Sequence, residues 1–392
     1  MRMSLVTAAL LLPALAACTS NATTSDDDTS PGGDSGGARA FTVNSSDDAC
    51  DVSAAEAPAG TLTFDVTNTG SQVTEFYLLA DDGLRIVAEV ENIGPGVNRK
   101  LTVNAAAGDY FTACKPGMVG EGQRADFTVT ESDDAPAVAA DDQELIDQAL
   151  TNYQAYVKDQ SAQLLAKTKE FVELYKAGDS DDEARELYPE ARTHWERIET
   201  VAESFGDLDP EMDLREADVE PGDEWTGWHL LEKDLWPADA VKYKSLTAEQ
   251  RATYADDLLA NTEELDTRVQ DLTYTIDDIA NGSRGLLEEV ALGKVTGEEE
   301  FWSHTDLWDF QANVDGARVG FEGVQPIVEA NDPELAETLT ARFADLQTLL
   351  DSHRKGDGFV LYTDLTTDDI KALVNAVNAL SEPLSKLTAA VV

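Results

Sequence analysis

His229 and Glu232 stand three residues apart in the stretch Gly227-Trp228-His229-Leu230-Leu231-Glu232. On a helix, positions i and i+3 are angular neighbours, so the imidazole and the carboxylate project from one face and are able to grip one ion. Helical bundles build interior metal centres from such pairs. Any acidic helix offers some His-x-x-Glu by chance, so the neighbouring residues matter. Glu196 and Glu199 repeat the i, i+3 spacing upstream, and Asp213 lies between the two pairs in Asp213-Leu214-Arg215-Glu216. Glu196, Glu199, Asp213, His229 and Glu232 are therefore the expected main metal site. Carboxylates outnumber nitrogen donors in this set and no thiolate is present, which favours hard ions such as ferric iron, manganese or calcium over copper(I).

Zinc peptidase chemistry is the rival reading. It usually takes two histidines at i and i+4 with a glutamate between them. Here Leu230 follows the histidine and no second histidine sits four residues on. His229, Glu232 and Glu196 would still make a three-ligand zinc site with an open position, but no separate general base is evident. A metallopeptidase therefore stays as the alternative to a binding protein that is not an enzyme. A polysaccharide-binding surface module with a structural metal is a further one.

The elements that must position these groups are helical. From Glu144 the apolar period is 3.6: Leu150, Tyr153, Val157, Leu164, Phe171 and Leu174 trace one stripe, ended by Gly178. Ser180-x-x-Glu183 reads as a capping box, and Pro189 as the first turn of the following helix. Thr247-x-x-Gln250 opens a long helix expected to close at Asn281-Gly282. Thr296-x-x-Glu299 opens the next, to about Gly323; Asn331-Asp332-Pro333 starts another, and Thr366-Thr367-Asp368 the last. Residues 144–392 are thus expected to form an all-α helical bundle. All four histidines lie in it. His194 is either an added donor or a solvent-facing residue, and His353 beside Arg354-Lys355-Gly356 marks a helix C-terminus.

Between Ala40 and Thr130 the period is two. Leu62/Phe64/Val66, Leu101/Val103 and Ala125/Phe127/Val129 alternate with polar residues, and turn residues such as Gly94-Pro95-Gly96 separate the runs. About seven short strands fit, enough for a small antiparallel sandwich. The boundaries expected are 39–131 for this domain, 132–143 for an acidic Ala/Pro-containing linker and 144–392 for the bundle. The sandwich holds Cys50 and Cys114, two of only three cysteines. They are either a disulfide, as thiols outside the cytoplasm usually become, or a second metal site for copper or zinc with Glu75 or Met118. Tyr110-Phe111-Thr112-Ala113-Cys114-Lys115-Pro116-Gly117-Met118 resembles the ligand loop of cupredoxins, which implies a cupredoxin-like sandwich. A blue-copper centre needs two imidazoles beside the thiolate, and this segment has no histidine.

Net charge is -49, from 77 acidic and 28 basic side chains. Such a surface repels phosphate backbones, so nucleic acid is excluded as a natural partner, while cations are drawn in. Met1-Arg2-Met3 followed by the apolar run Leu5–Leu15 reads as an export signal, too short to span as an ordinary membrane helix. Leu15-Ala16-Ala17-Cys18 resembles a bacterial lipobox, which implies a signal peptide at 1–17 and lipidation of Cys18. Residues 18–38, rich in Ser, Thr, Asp and Gly, read as a disordered tether. The folded part is expected outside the cytoplasm, lipid-anchored on the outer face of the membrane or in the periplasm.

Several longer motifs are more specific than His-x-x-Glu. Trp195-Glu196-Arg197-Ile198-Glu199, Asp213-Leu214-Arg215-Glu216, Gly227-Trp228-His229-Leu230-Leu231-Glu232-Lys233 and the run Thr305–Ala317 resemble the signatures of EfeO-type iron-uptake lipoproteins. The helical part of that family belongs with the imelysin-like proteins, which carry a Gly-x-His-x-x-Glu motif and were named for a supposed peptidase. The longer members place a cupredoxin-like domain first, so the resemblance covers nearly all of the chain after the signal peptide. It implies capture of iron, ferric by preference, and delivery to an iron permease of the membrane, with a haem-dependent peroxidase as third component. Within Thr305–Ala317, Asp306, Asp309 and Asn313 share a helix face, as buried hydrogen-bonding groups or a second ion contact.

Overall fold

The computed structural model describes residues 39–392, apart from 82, 84, 85, 119, 121, 133–139, 180, 220, 221, 223, 241 and 293. The expected lipobox at Cys18, the tether and the Ser180 cap therefore lie outside the described residues.

The alternating stretches fold as expected into a β-sandwich, with nine strands among the described residues and not seven: β1 (Ala40–Ser45), β2 (Cys50–Val52), β3 (Glu56–Pro58), β4 (Gly60–Asn68), β5 (Thr74–Leu79), β6 (Ile86–Ile93), β7 (Asn98–Ala105), β8 (Gly108–Cys114) and β9 (Gln123–Thr130). One sheet has the order β2-β1-β4-β7, the other β3-β9-β8-β5-β6. The expectation of a purely antiparallel sandwich is corrected, because β1 runs parallel to β4 and β3 parallel to β9. The two extra strands, β2 and β3, are three residues each, too short for a period of two to register. Inward residues of both sheets meet in a core of four phenylalanines, Phe41, Phe64, Phe76 and Phe127, whose ring centroids lie 5.2–5.6 Å apart. Cys50 on β2 and Cys114 on β8 join the two sheets in a disulfide.

The remainder is helical apart from one short antiparallel pair, Arg354–Lys355 with Gly358–Phe359, which the expectation of an all-α bundle did not include: α1 (Ala140–Ala177), α2 (Asp181–Glu196), α3 (Leu208–Asp213), α4 (Trp228–Leu235), α5 (Ala248–Arg268), α6 (Ile276–Leu292), α7 (Asp306–Asn331), α8 (Pro333–Asp351), α9 (Thr367–Leu384) and α10 (Leu387–Val391). Several expected caps hold. Gly178 follows α1 at φ +69°, Thr247 and Thr366 make complete capping boxes, and Asp332 caps α8 ahead of Pro333. Three boundaries need correction. Pro189 lies inside α2 and does not begin it, because the buried face Tyr188, Ala191 and Trp195 outweighs the ~3 kcal/mol that an interior proline costs. The long helix from Thr247 ends at Arg268, and Asn281-Gly282 falls within α6. Gly282 is there for closeness, since a Cβ on it would come 1.8 Å from the Thr200 carbonyl. Thr296-x-x-Glu299 caps no helix: a short 3-10 turn at Lys294–Thr296 leads into an irregular loop, and α7 starts only at Asp306. Finally, α10 follows the helix expected to be last.

Two apolar cores result. One gathers α6 to α10 around Val314, Phe321, Leu339 and Val377; the other gathers α1, α2, α4 and α5 around Phe171, Tyr188, Trp195 and Trp228. The helices carrying the candidate ligands, α2, α4 and α7, come from both. α6 also meets the sandwich. Asn281 donates to the Thr102 carbonyl at 2.9 Å, Arg284 to the Lys100 carbonyl at 3.1 Å, and Asp277 accepts from the Asn104 amide at 3.0 Å. No described helix is long and apolar enough to cross a membrane.

Candidate metal centre

The glycine of Gly227-Trp228-His229 sets the geometry. It sits at φ +83°, and a Cβ on it would meet the Met212 carbonyl at 2.1 Å. Only glycine lets the start of α4 close on the end of α3, and that closeness brings His229 beside Asp213. Both His229 and Glu232 are fully buried, at 1% and 0% exposure.

The imidazole faces carboxylates on both sides. Nε2 lies 3.5 Å from Asp213 Oδ1 and 3.6 Å from Glu299 Oε1. Nδ1 lies 3.6 Å from Glu232 Oε2 and 4.0 Å from Glu300 Oε1. Neither ring nitrogen has a hydrogen-bond partner among the described residues. Within each trio, Asp213/His229/Glu299 and His229/Glu232/Glu300, the ligand atoms lie within 4.8 Å of one another. Ligands about 2.1 Å from a tetrahedral ion stand ~3.4 Å apart, so these separations leave room for a cation with little movement.

Other predicted residues are held differently. Glu196 and Glu199 do share a helix-like face, but what they grip is an ammonium. Lys294 Nζ is 2.6 Å from Glu196 Oε2 and 2.7 Å from Glu199 Oε2. Asn313 Nδ2 donates to the same two carboxylates at 3.0 and 2.8 Å. Arg192, completely buried on α2, pairs with Asp213 and Glu196, and its Nε lies 2.7 Å from Glu300 Oε1. Trp195 Nε1 donates to Asp213 Oδ2 at 2.8 Å. Glu232 Oε1 accepts the amides of Trp302 and Ser303 at 2.8 and 2.6 Å, which fixes that carboxylate and leaves Oε2 turned to Nδ1. The structure thus gathers Asp213, His229 and Glu232, and sets Glu196 and Glu199 behind two basic side chains.

Electrostatics follow from burial. Burial and Arg192 both press the His229 imidazole toward neutrality, yet Glu232, Glu299 and Asp213 overcome them and raise its pKa to about 9. Burial alone would raise Glu299, but Lys294, His229 and Arg192 hold it below the usual carboxylate range. Glu300 is pushed well up by burial and by Glu232. Burial drives Asp306 up to about 7, and burial with Glu300 raises Asp309.

Glu299, Glu300, Arg192 and Lys294 escaped the sequence reading. Glu298-Glu299-Glu300 in an acidic chain is no signal by itself, and Thr296-x-x-Glu299 resembles a helix cap. The one available hint is the aromatic pair Phe301-Trp302 directly after the acidic run. His194 is not at the site, for its Nδ1 meets Gln160 Oε1 at 2.9 Å and burial lowers its pKa to about 4. Asp306, Asp309 and Asn313 are all buried on one face of α7. In the sandwich, the disulfide takes Cys50 and Cys114 out of the thiolate state that the alternative second metal site requires. Glu75 there is 3% exposed and accepts from the Tyr77 hydroxyl, and Met118 is exposed.

Two family models agree with this architecture. The imelysin family model matches residues 149–387 and the cupredoxin-like domain model residues 7–137. The imelysin-like structure from Psychrobacter arcticum 273-4 superposes with a TM-score of 0.43 at 13% identity, covering 63% of this chain and 94% of its own. An iron uptake system component EfeO from Escherichia coli O157:H7 is 36% identical over 348 residues, 88% of this chain and 89% of that protein. The EfeO of Yersinia pseudotuberculosis serotype I is 38% identical over 350 residues, with the same coverage. The chain belongs to the EfeO family.

Proposed function

We propose that this protein is the extracytoplasmic, lipid-anchored iron-binding component of an Efe-type uptake system, capturing ferric iron and passing it to a membrane permease, with a haem-dependent peroxidase as the third component. The observation that carries the reading is His229: a fully buried imidazole whose two nitrogens have no hydrogen-bond partner among the described residues and have carboxylate oxygens 3.5–4.0 Å from each. The names of the relatives supply the metal. The chemistry of the donors is consistent with it, because eight acidic residues (Glu196, Glu199, Asp213, Glu232, Glu299, Glu300, Asp306 and Asp309) surround three basic ones, Arg192, Lys294 and His229. An oxygen-rich, electron-hard pocket with excess negative charge favours a small, highly charged cation. The disulfide suits an oxidising compartment outside the cytoplasm. The Leu15-Ala16-Ala17-Cys18 sequence supports the anchor.

Carriage, not catalysis, is the role proposed. A peptidase must admit a polypeptide beside its metal, whereas His229 and Glu232 are buried under the loop that carries Trp302 and Ser303. The test is a competition titration of ferric citrate against a coloured chelator, using wild type and His229→Ala. Tight binding by wild type that the variant loses is expected. Equal affinity in both proteins removes His229 from the site and the reading with it.

A further inference from the structure

We propose that His229 serves two mutually exclusive cation positions, an outer one at Nε2 and an inner one at Nδ1; the inference deepens the iron-carrier reading and rests on it. The two nitrogens of an imidazole point away from each other. Asp213 and Glu299 lie on the Nε2 side, at 3.5 and 3.6 Å, while Glu232 and Glu300 lie on the Nδ1 side, at 3.6 and 4.0 Å. No single ion reaches both groups, so the i, i+3 pair His229/Glu232 and the pair His229/Asp213 belong to different coordination spheres.

The inner position is the more enclosed. Glu232 and Glu300 side chains are 0% exposed, against 8% for Asp213 and 7% for Glu299. At the inner position Nδ1 and Glu232 Oε2 are buried without hydrogen-bond partners among the described residues, as are Asp306 Oδ2 and both carboxylate oxygens of Asp309 on α7. A buried acceptor left unsatisfied carries its full desolvation penalty unless something meets it. Arg192 is the resident cation, with Nε 2.7 Å from Glu300 and 3.7 Å from Asp309. It also serves Asp213 and Glu196, so one guanidinium is shared among Glu300, Asp309, Asp213 and Glu196. A hard divalent or trivalent cation on Nδ1, Glu232 and Glu300 answers that imbalance.

A neutral imidazole has one lone pair, so only one position fills at a time. With the ion outside, the ring proton rests on Nδ1 and is offered to Glu232. With the ion inside, it rests on Nε2 and is offered to Asp213 or Glu299. The ring stays neutral throughout; one proton changes nitrogen and one ion changes side. The outer position exchanges ions with the surface, and the inner one retains them.

Manganese(II) is the probe, on the full chain. Wild type should bind one ion per chain. Asp213→Asn/Glu299→Gln should still bind one, with affinity lowered no more than about tenfold, and with histidine isotopically labelled at Nδ1 alone, electron–nuclear double resonance should show direct coupling to the label. Adding Glu300→Gln should abolish that binding. Complete loss of the ion in a double variant that melts like wild type, or direct coupling only through Nε2, overturns the inner position. Should the double variant not fold, Glu300→Gln alone decides: release into excess chelator at least about tenfold faster, with uptake unchanged, is expected, and an unchanged release rate refutes it. Failure of wild type to bind ferric iron in the citrate competition would instead strike at the carrier reading itself.

Discussion

Without a bound cation His229 is held protonated at neutral pH, because the acidic groups around it raise its pKa to about 9. A ligand nitrogen must shed that proton before it binds a cation. Metal affinity should therefore climb as pH rises, by about tenfold per unit until roughly pH 9, and then flatten. A chelator-competition series across pH reads this slope, and a flat profile would remove the imidazole from the sphere. The metal-free fold shows the opposite sense. A pKa raised above the unfolded value gives stability that is complete below about 6.5 and fades as pH approaches 9. At the same scale, Glu299 and Glu199 should separate. Glu299→Gln removes an oxygen 3.6 Å from Nε2 and should weaken the outer position by about tenfold or more. Glu199→Gln alters the Lys294 and Asn313 contacts, away from the imidazole, and should leave affinity within about threefold. Equal losses from both would mean that Lys294 leaves and Glu199 joins the ion.

Helix α4 and the loop before α7 form the centre by being locked together. Lys233, the residue after Glu232, points its ammonium at three rings: Trp302 at 5.0 Å, Tyr243 at 5.3 Å and Trp225 at 5.5 Å. These rings come from three separate loops, and Trp302 also gives its amide to Glu232. Lys233→Met should cost about 1–2 kcal/mol of stability and lower metal affinity through a displaced loop, while Lys233→Arg keeps both. Thermal melts beside metal titrations distinguish this clamp from a surface lysine, whose removal would change neither. Gly227→Ala is the harsher change, with its methyl group against the Met212 carbonyl. It should destabilise the fold by about 3 kcal/mol or more and separate His229 from Asp213. A variant that melts and binds like wild type would show that α4 can dock without this close approach.

The whole molecule joins a disulfide-bonded sandwich to a bundle that has no disulfide among its described residues. Cys50 and Cys114 are 64 residues apart, a loop whose closure contributes about 4 kcal/mol in the chain-entropy view. Cys50→Ser/Cys114→Ser should therefore lower the melting of the sandwich while the bundle keeps its affinity for iron. Calorimetry with a parallel metal titration checks this. A lost metal site in that variant would mean that the contacts of α6 with β7 govern the centre, not merely its placement.

Much was legible without coordinates, for physical reasons. Alternation in Leu62/Phe64/Val66 and the 3.6 spacing from Leu150 to Phe171 are one-dimensional records of which side chains avoid water, so the sandwich and the bundle followed directly. Caps at Thr247, Asp332 and Thr366 are equally local. His229 with Glu232 could be found because a helix brings i and i+3 together wherever it lies. The sequence by itself thus determined the two folding patterns, the acidic charge and the central imidazole. Only the tertiary structure decided which carboxylates face it. Glu299 and Glu300 sit about seventy residues away on an irregular loop whose path no periodicity encodes. Glu196 and Glu199, spaced as ligands should be, were claimed instead by Lys294 and Arg192. A buried carboxylate takes the nearest available cation, and which cation is nearest depends on the packing of α2, α4 and α7 around one point.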